Sequence, residues 1–145
     1  MLTNGQLHET LAAASRRYAE LQAKFAEFSG LLEASFTRAD FFVKGLVIRP
    51  ELEANRIDIV FAGRTFRLVF STAIPEQQRN LVGVVSCYAV VEYPERKFVL
   101  TGSVTFKPNG ESDIKAPPDN DPLYVNWDTA AIYIGLRLIH EGLAK

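Results

Sequence analysis

The chain has 145 residues, of which 48% are hydrophobic and 23% are charged, and its formal net charge is −1. This length suits one domain with its own core, and the near-neutral charge argues against binding to nucleic acid or to an anionic membrane surface. Cys87 is the only cysteine, which excludes an intrachain disulfide. We expect a single α+β domain over 1–145 in the cytoplasm, because the first ten residues lack a secretory leader pattern and no stretch approaches the about 20 apolar residues of a membrane span.

The first predicted element is a long helix within 1–40. Thr3 and Gln6 have the spacing of a capping box, and Asn4 is an alternative cap. Gly30 is unfavourable inside a helix, so the sequence allows a break there. Apolar residues recur in alternating steps of four and three, which is the pattern of one helix face: Leu7, Leu11, Ala14, Tyr18, Leu21, Phe25, Phe28 and Leu32.

This heptad stripe has two interpretations. It is either the buried face of a helix that lies on its own sheet, or a coiled-coil seam to a second chain. Tyr18, Phe25 and Phe28 are bulky for a tight two-stranded coil, and the flanking positions lack regular opposite charges. Both features favour packing on the sheet.

Between 41 and 110 the hydrophobic period changes to two, which predicts a five-stranded antiparallel meander. The first strand covers 41–50 and ends at Pro50. A turn at Gly63-Arg64 would join the second and third strands. That turn predicts three apolar pairs on one face: Phe61 with Phe66, Ile59 with Leu68, and Ile57 with Phe70.

A second predicted hairpin joins 80–93 to 97–107. Pairing Tyr93 with Phe98 places Ala89 opposite Gly102 and continues to Val85 opposite Phe106, all on the core face. The fourth strand is apolar on both faces, so we expect it to be central in the sheet or covered on both faces. Cys87 lies on its core face and is predicted to be buried and unreactive. The small pair of Ala89 and Gly102 leaves a shallow place in the sheet that could admit a ligand, but the close approach of a helix is the more common use of such a pair.

The last part of the chain predicts a loop followed by a helix. Residues 111–125 are rich in prolines, acids and turn formers, which is typical of a loop. A helix is predicted within 126–145, from about Trp127 to Leu143, with Asn126 or Asp128 as its cap. Most of its surface is apolar, so more than one of its sides should be covered. The predicted order is therefore α-β5-α.

No motif for familiar chemistry is present, so we expect neither a catalytic site, nor a metal, nor a cofactor. His8 and His140 lie on different predicted helices, and the oxygen-bearing residues of the loop do not follow a calcium-binding pattern; these are Asp113, Asp119, Asn120 and Asp121. Scattered arginines are expected to protect strands and to pair with Asp58 and Glu92 rather than to bind nucleic acid; they are Arg49, Arg56, Arg64, Arg67, Arg79 and Arg96.

The first functional hypothesis is a small dimeric protein-interaction module: an adaptor, a chaperone-like binder or an immunity-type inhibitor of a partner. The apolar surface of the stripe, the last helix and the fourth strand exceeds what one sheet and two helices can bury, which predicts a homodimer with two-fold symmetry. The interface candidates are Tyr18, Phe25, Phe28, Leu136 and Ile139.

The alternative is a small-ligand-binding domain with an apolar pocket between the sheet and the C-terminal helix. Its candidate lining residues are Tyr88, Phe106, Tyr124 and Trp127. A deep apolar cavity at that position would favour ligand binding, whereas a filled core would favour the interaction module.

Overall fold

The computed structural model describes residues 2–76, 80–118 and 120–145. Its elements in chain order are α1 (Asn4–Phe36), β1 (Val47–Glu51), a short 3₁₀ turn (Leu52–Ala54), β2 (Arg56–Phe61), β3 (Arg64–Ala73), β4 (Val82–Val91), β5 (Lys97–Phe106), β6 (Glu111–Ala116), β7 (Asp121–Tyr124) and α2 (Asp128–Leu143). The strands follow one another antiparallel in chain order. The predicted α+β class, with an antiparallel sheet between a long N-terminal helix and a C-terminal helix, is confirmed.

Over the described residues the sheet has seven strands rather than five, because the predicted loop over 111–125 contains β6 and β7. In β6, the buried Ser112 and Ile114 alternate with exposed Asp113 and Lys115, but this polar alternation is too weak to outweigh the loop-like composition. Pro117 and Pro118 lie between the two strands rather than inside them. Asp119 lies outside the described residues.

Strand β1 begins later than predicted, at Val47, and residues 41–46 are not part of it. Gly45 precedes the strand with a φ of +85°, a conformation that interrupts an extended chain. Pro50 lies inside β1 instead of ending it. Since β1 is at the edge of the sheet, the missing N–H of Pro50 is tolerated there.

The capping box of α1 is confirmed. Gln6 N donates to Thr3 Oγ1 at 3.1 Å, and Thr3 N donates to Gln6 Oε1 at 2.8 Å. The helix continues through Gly30 to Phe36. Gly30 lies on the exposed side, while its neighbour Ser29 and the nearby Leu32 are buried, so tertiary packing holds the helix together at this position.

The turn of the first hairpin is Ala62-Gly63 and not Gly63-Arg64. Both residues have positive φ, +52° and +76°, as in a type I′ turn. Phe61 therefore pairs with Arg64, two residues from the predicted register. Because side chains alternate between faces along a strand, a register shift of two residues leaves each side chain on its predicted face. The apolar face of this hairpin is buried as expected.

The register of the second hairpin was also wrong. Val91 pairs with Lys97, and Cys87 pairs with Gly102. A β-bulge places Thr101 as an extra residue between Gly102 and Leu100, whose partner is Tyr88. The bulge exchanges the two faces of β5, so Val104 and Phe106 are buried whereas Phe98 and Leu100, predicted to face the core, lie beside Val90 and Tyr88 on the opposite face.

Both helices cover the same face of the sheet and enclose the core. The second half of the α1 stripe is buried there: Leu21, Phe25, Phe28 and Leu32. The packing is close, because a Cβ atom on Gly135 would lie 2.7 Å from Leu32 Cδ2 and one on Gly142 would lie 2.5 Å from Phe66 Cε1. A Cβ on Gly102 would lie 2.5 Å from Glu141 Oε2 and 3.6 Å from Leu138 Cδ2, so side chains of α2 pack against this glycine, but the predicted pairing of Ala89 with Gly102 is wrong because Ala89 pairs with Val99.

The two helices differ from prediction at their starts. Trp127 is the N-cap residue of α2 and makes no side-chain cap, so neither Asn126 nor Asp128 caps this helix. The first half of α1 extends past the sheet, where Leu7 and Leu11 are exposed. The stripe thus packs on the sheet only from about Tyr18 onward, where the Tyr18 ring lies 6.1 Å from that of Phe70.

Candidate interaction surface

The face of the sheet opposite the helices, here called the outer face, is formed in its centre by β2 to β5. Antiparallel pairing sets Asp58 opposite Arg67 and Arg67 opposite Tyr88. The bulge in β5 then adds Phe98 and Leu100 to the same face. None of these side chains is fully buried, so the outer face presents aromatic, aliphatic and charged groups to solvent.

Arg67 holds a fixed position on this face. Its Nε and Nη2 donate to Asp58 Oδ1 and Oδ2 at 2.8 and 3.1 Å, and its guanidinium lies 5.2 Å from the centroid of the Phe98 ring. The hydrogen bond with Asp58 raises the pKa of Arg67. A two-pronged ion pair of this kind orients the guanidinium and leaves its flat surface available for aromatic contact.

Next to Arg67 the outer face has a shallow depression of about 300 Å³, lined by Arg67, Val69, Tyr88 and Phe98. Aromatic residues and arginine are enriched in the energetically dominant parts of protein interfaces. The lining contains no nucleophile and no acid–base pair. The depression is suited to bind an apolar side chain of a partner, and Arg67 can make a polar contact at its rim.

Sequence reasoning assigned Tyr88 to a site but missed Arg67, Val69 and Phe98. The sequence predicts Arg67 only as one of six arginines that protect strands or pair with Asp58 and Glu92. Phe98 was placed in the core because strict alternation along β5 assigns it there. Gly102, next to Thr101, is a signal that could mark the bulge that moves Phe98 to the outer face, but a glycine inside a strand equally suits the close approach of a helix.

The structure does not bring the four predicted pocket residues together. Tyr88 is on the outer face, whereas Phe106 is buried on the core face with its ring 6.1 Å from that of Phe70. Tyr124 and Trp127 stack on each other just before α2, with ring centroids 4.0 Å apart.

The predicted interface residues fall in three environments. Phe25, Phe28 and Ile139 are buried in the core of their own chain. Leu136 is half-buried on α2. Tyr18 is exposed on α1, and its hydroxyl accepts a hydrogen bond from Asn55 Nδ2 at 3.4 Å.

Cys87 is fully buried, as expected, and its Sγ lies 3.8 Å from the carbonyl oxygen of Leu138. Burial is the main cause that raises the pKa of this thiol. His8 and His140 are exposed on separate helices. In the part of the chain that the structure describes, no three histidine, cysteine or acidic side chains converge on a possible metal position.

The expected ion pairs are present. Arg67 pairs with Asp58, and Arg96 Nε lies 3.7 Å from Glu92 Oε1. Arg79 lies outside the described residues.

A polar groove of about 430 Å³ between β5 and the β6–β7 hairpin is lined in part by Lys107, Glu111 and Asp113. Lys107 Nζ lies 2.8 Å from Glu111 Oε2, and Asp113 Oδ1 accepts a hydrogen bond from Thr105 N at 3.0 Å. Lys107 and Glu111 thus pair with each other and Asp113 binds the backbone of β5, which leaves the outer face as the stronger candidate for a functional site.

Comparisons with protein-family models, with curated proteins and with solved structures found no match for this chain. Neither α1 nor α2, the helices of the described residues, combines the length and the apolar character that crossing a membrane requires. The chemistry of the outer face is therefore the feature of the chain that indicates a function.

Proposed function

We propose that this protein is a small cytoplasmic protein-interaction module without catalytic activity, of the adaptor, chaperone-like or immunity type, and that it acts as a homodimer. The observation that carries the proposal is the depression beside Arg67 on the outer face. It combines Tyr88, Phe98 and a fixed arginine, which is the composition of an interface centre rather than of a reactive site.

The surroundings of the depression support the same function. Phe98 and Leu100 are 46% and 57% exposed although they are large apolar side chains. Contiguous exposed apolar surface on a soluble protein usually marks an interface. The ion pair of Arg67 with Asp58 supplies the polar part that fixes the orientation of a partner.

The packing between the sheet and α2 supports an interaction module over a ligand-binding domain. A pocket at this position would need space beside Gly142, yet the Phe66 side chain of β3 lies directly against this glycine, and on the neighbouring side of α2 the Leu32 side chain of α1 lies against Gly135. A ligand could enter only by separating α2 from the core, at the loss of close contacts.

Site-specific photocrosslinking tests this function. A photoreactive phenylalanine analogue replaces Phe98 in one variant and Tyr133 in a control variant, since Tyr133 is an exposed aromatic residue of α2 outside the depression. Both proteins are irradiated in lysate of the native host and as purified chains. We expect a discrete crosslinked protein, either a second copy or another partner, from position 98 at several times the yield from position 133.

Equal yields from both positions, or no discrete product from position 98, would contradict the proposal that the outer face is a binding surface. Mass spectrometry of the crosslinked product identifies the partner. Circular dichroism of both variants controls for misfolding.

A further inference from the structure

Strand β5 has a free edge along most of its length. It pairs with β4 throughout, but it meets β6 at a single pair, Phe106 with Ser112. From Lys97 to Thr105, the described residues provide no neighbouring strand on the other side of β5. An exposed strand edge offers unpaired N–H and C=O groups and pairs readily with another extended chain.

The backbone groups of Phe98 and Leu100 point toward this free edge. The carbonyl of Cys87 is directed at β5, where it accepts a hydrogen bond from Thr101 Oγ1 at 3.2 Å. The backbone N–H and C=O groups of successive residues point to alternate sides of a strand, so those of Tyr88 and Val90 point away from β5. Their partners Leu100 and Phe98 therefore form non-hydrogen-bonded pairs with β4 and direct their own N–H and C=O groups outward.

Beyond Leu100, two positions of the edge, Thr101 and Thr105, are already capped by side chains. Asp113 Oδ1 accepts from Thr105 N at 3.0 Å, and Lys145 Nζ donates to the carbonyl of Thr101 at 3.1 Å. Charged side chains at these positions block strand addition. The open stretch is thus short and runs from Lys97 to Leu100.

We propose that this stretch is the contact between two copies of the chain, with the β5 strands antiparallel and the two-fold axis at Val99. Phe98 then forms a hydrogen-bonded pair with Leu100 of the partner subunit, and the symmetric pair gives four backbone hydrogen bonds in total. This geometry specifies the homodimer of the proposed function and rests on it. It also joins the two outer faces, because Phe98 and Leu100 belong to both the edge and that surface.

The structure favours a second copy over an open-ended assembly. The opposite edge, β1, carries Pro50 and the exposed charges of Arg49 and Glu51, which oppose strand pairing. A β5-to-β5 contact uses the open stretch of both chains and closes as a dimer. It also sets Lys97 opposite Thr101 of the partner subunit, so no like charges face each other.

The small size of the contact predicts a weak dimer. Phe98, Val99 and Leu100 are each about half exposed and present on the order of 100 Å² of side chain apiece. Even with the backbone of β5 included, this is below the roughly 800 Å² that each partner buries in a standard interface. We expect a dissociation constant in the range of about 1–100 µM.

Disulfide trapping tests the register. Val99→Cys places two thiols at the two-fold axis, with a Cα–Cα distance of about 4.5 Å, which a disulfide can span. Ser103→Cys is the control, since it is exposed on the same strand but would lie about 27 Å from its copy. Cys87 is buried in both variants. Under oxidised glutathione we expect covalent dimers of Val99→Cys to form at least ten times faster than those of Ser103→Cys.

Sedimentation equilibrium of the unmodified chain separates the two proposals. A wild-type dimer together with similar trapping rates for the two cysteine variants would overturn the β5 contact and leave the homodimer intact. A wild-type monomer up to about 500 µM, well above the expected dissociation constant, would overturn both. Selective trapping at position 99 with native circular dichroism supports the contact.

Discussion

Arg67 and Asp58 show how one pair of residues organises the outer face. Their side chains are each 19% exposed, so solvent screens the pair less than a fully exposed one. Asp58→Ala would leave a partly buried guanidinium without its carboxylate, and we expect it to lower the free energy of unfolding by about 1 kcal/mol. Urea denaturation measures this loss. Glu51→Ala, which breaks the more exposed pair with Arg56, is the matched control, and an equal loss there would contradict the special position of Arg67.

Cys87 provides a residue-scale test of burial. Its thiol has a raised pKa because it is buried, so the folded chain holds the thiol proton more tightly than the unfolded chain does. Its contribution to stability is therefore complete below the unfolded pKa of about 8.5 and is lost as the pH rises above that value. From pH 8 to pH 10 we expect the wild type to lose on the order of 1 kcal/mol more than Cys87→Ala. If the free energy of unfolding of the two proteins changed with pH in the same way, the thiol of Cys87 would not be shielded from ionisation by burial.

At the scale of elements, the first hairpin depends on two residues with positive φ. Ala62 is strained at +52°, whereas Gly63 adopts +76° freely. Ala62→Asn creates the preferred Asn-Gly turn and should stabilise the fold by about 0.5–1 kcal/mol, while Gly63→Val should destabilise it by more than about 1 kcal/mol. Thermal denaturation measures the melting temperatures of both variants. If the two substitutions shifted the melting temperature in the same direction, the turn would not be at these residues.

The two halves of α1 should differ in their contribution to stability. Phe28 is fully buried, whereas Leu11 is 61% exposed on the part of the helix that extends past the sheet. Phe28→Ala should therefore cost about 3–5 kcal/mol, and Leu11→Ala should stay within about 0.5 kcal/mol. Chemical denaturation at low protein concentration measures both values without a contribution from self-association. A large loss for Leu11→Ala would mean that the first half of α1 is packed.

Element types followed from hydrophobic periodicity, but strand registers did not. The capping box at Thr3 and the apolar faces of β2 and β3 were evident because local sequence determines them. The turn at Ala62-Gly63 was misplaced because a strained alanine has no sequence signature. The bulge at Thr101 was missed because the neighbouring Gly102 can mark either a bulge or the close approach of a helix. The site was missed largely through this bulge, since it alone brings Phe98 to the depression beside Arg67.

At the scale of the whole molecule, the open edge of β5 predicts that one backbone N–H controls association without controlling folding. The N–H of Leu100 points away from β4, so Leu100→Pro removes an intermolecular hydrogen bond and keeps the native pairing. Val99→Pro is the control, because the N–H of Val99 points toward β4 and its loss weakens the fold itself. We expect Leu100→Pro to melt within a few degrees of the wild type and to raise the dimer dissociation constant at least tenfold by sedimentation equilibrium. A Leu100→Pro protein that is folded and still dimerises like the wild type would place the contact elsewhere, with the exposed first half of α1 as the next surface to test.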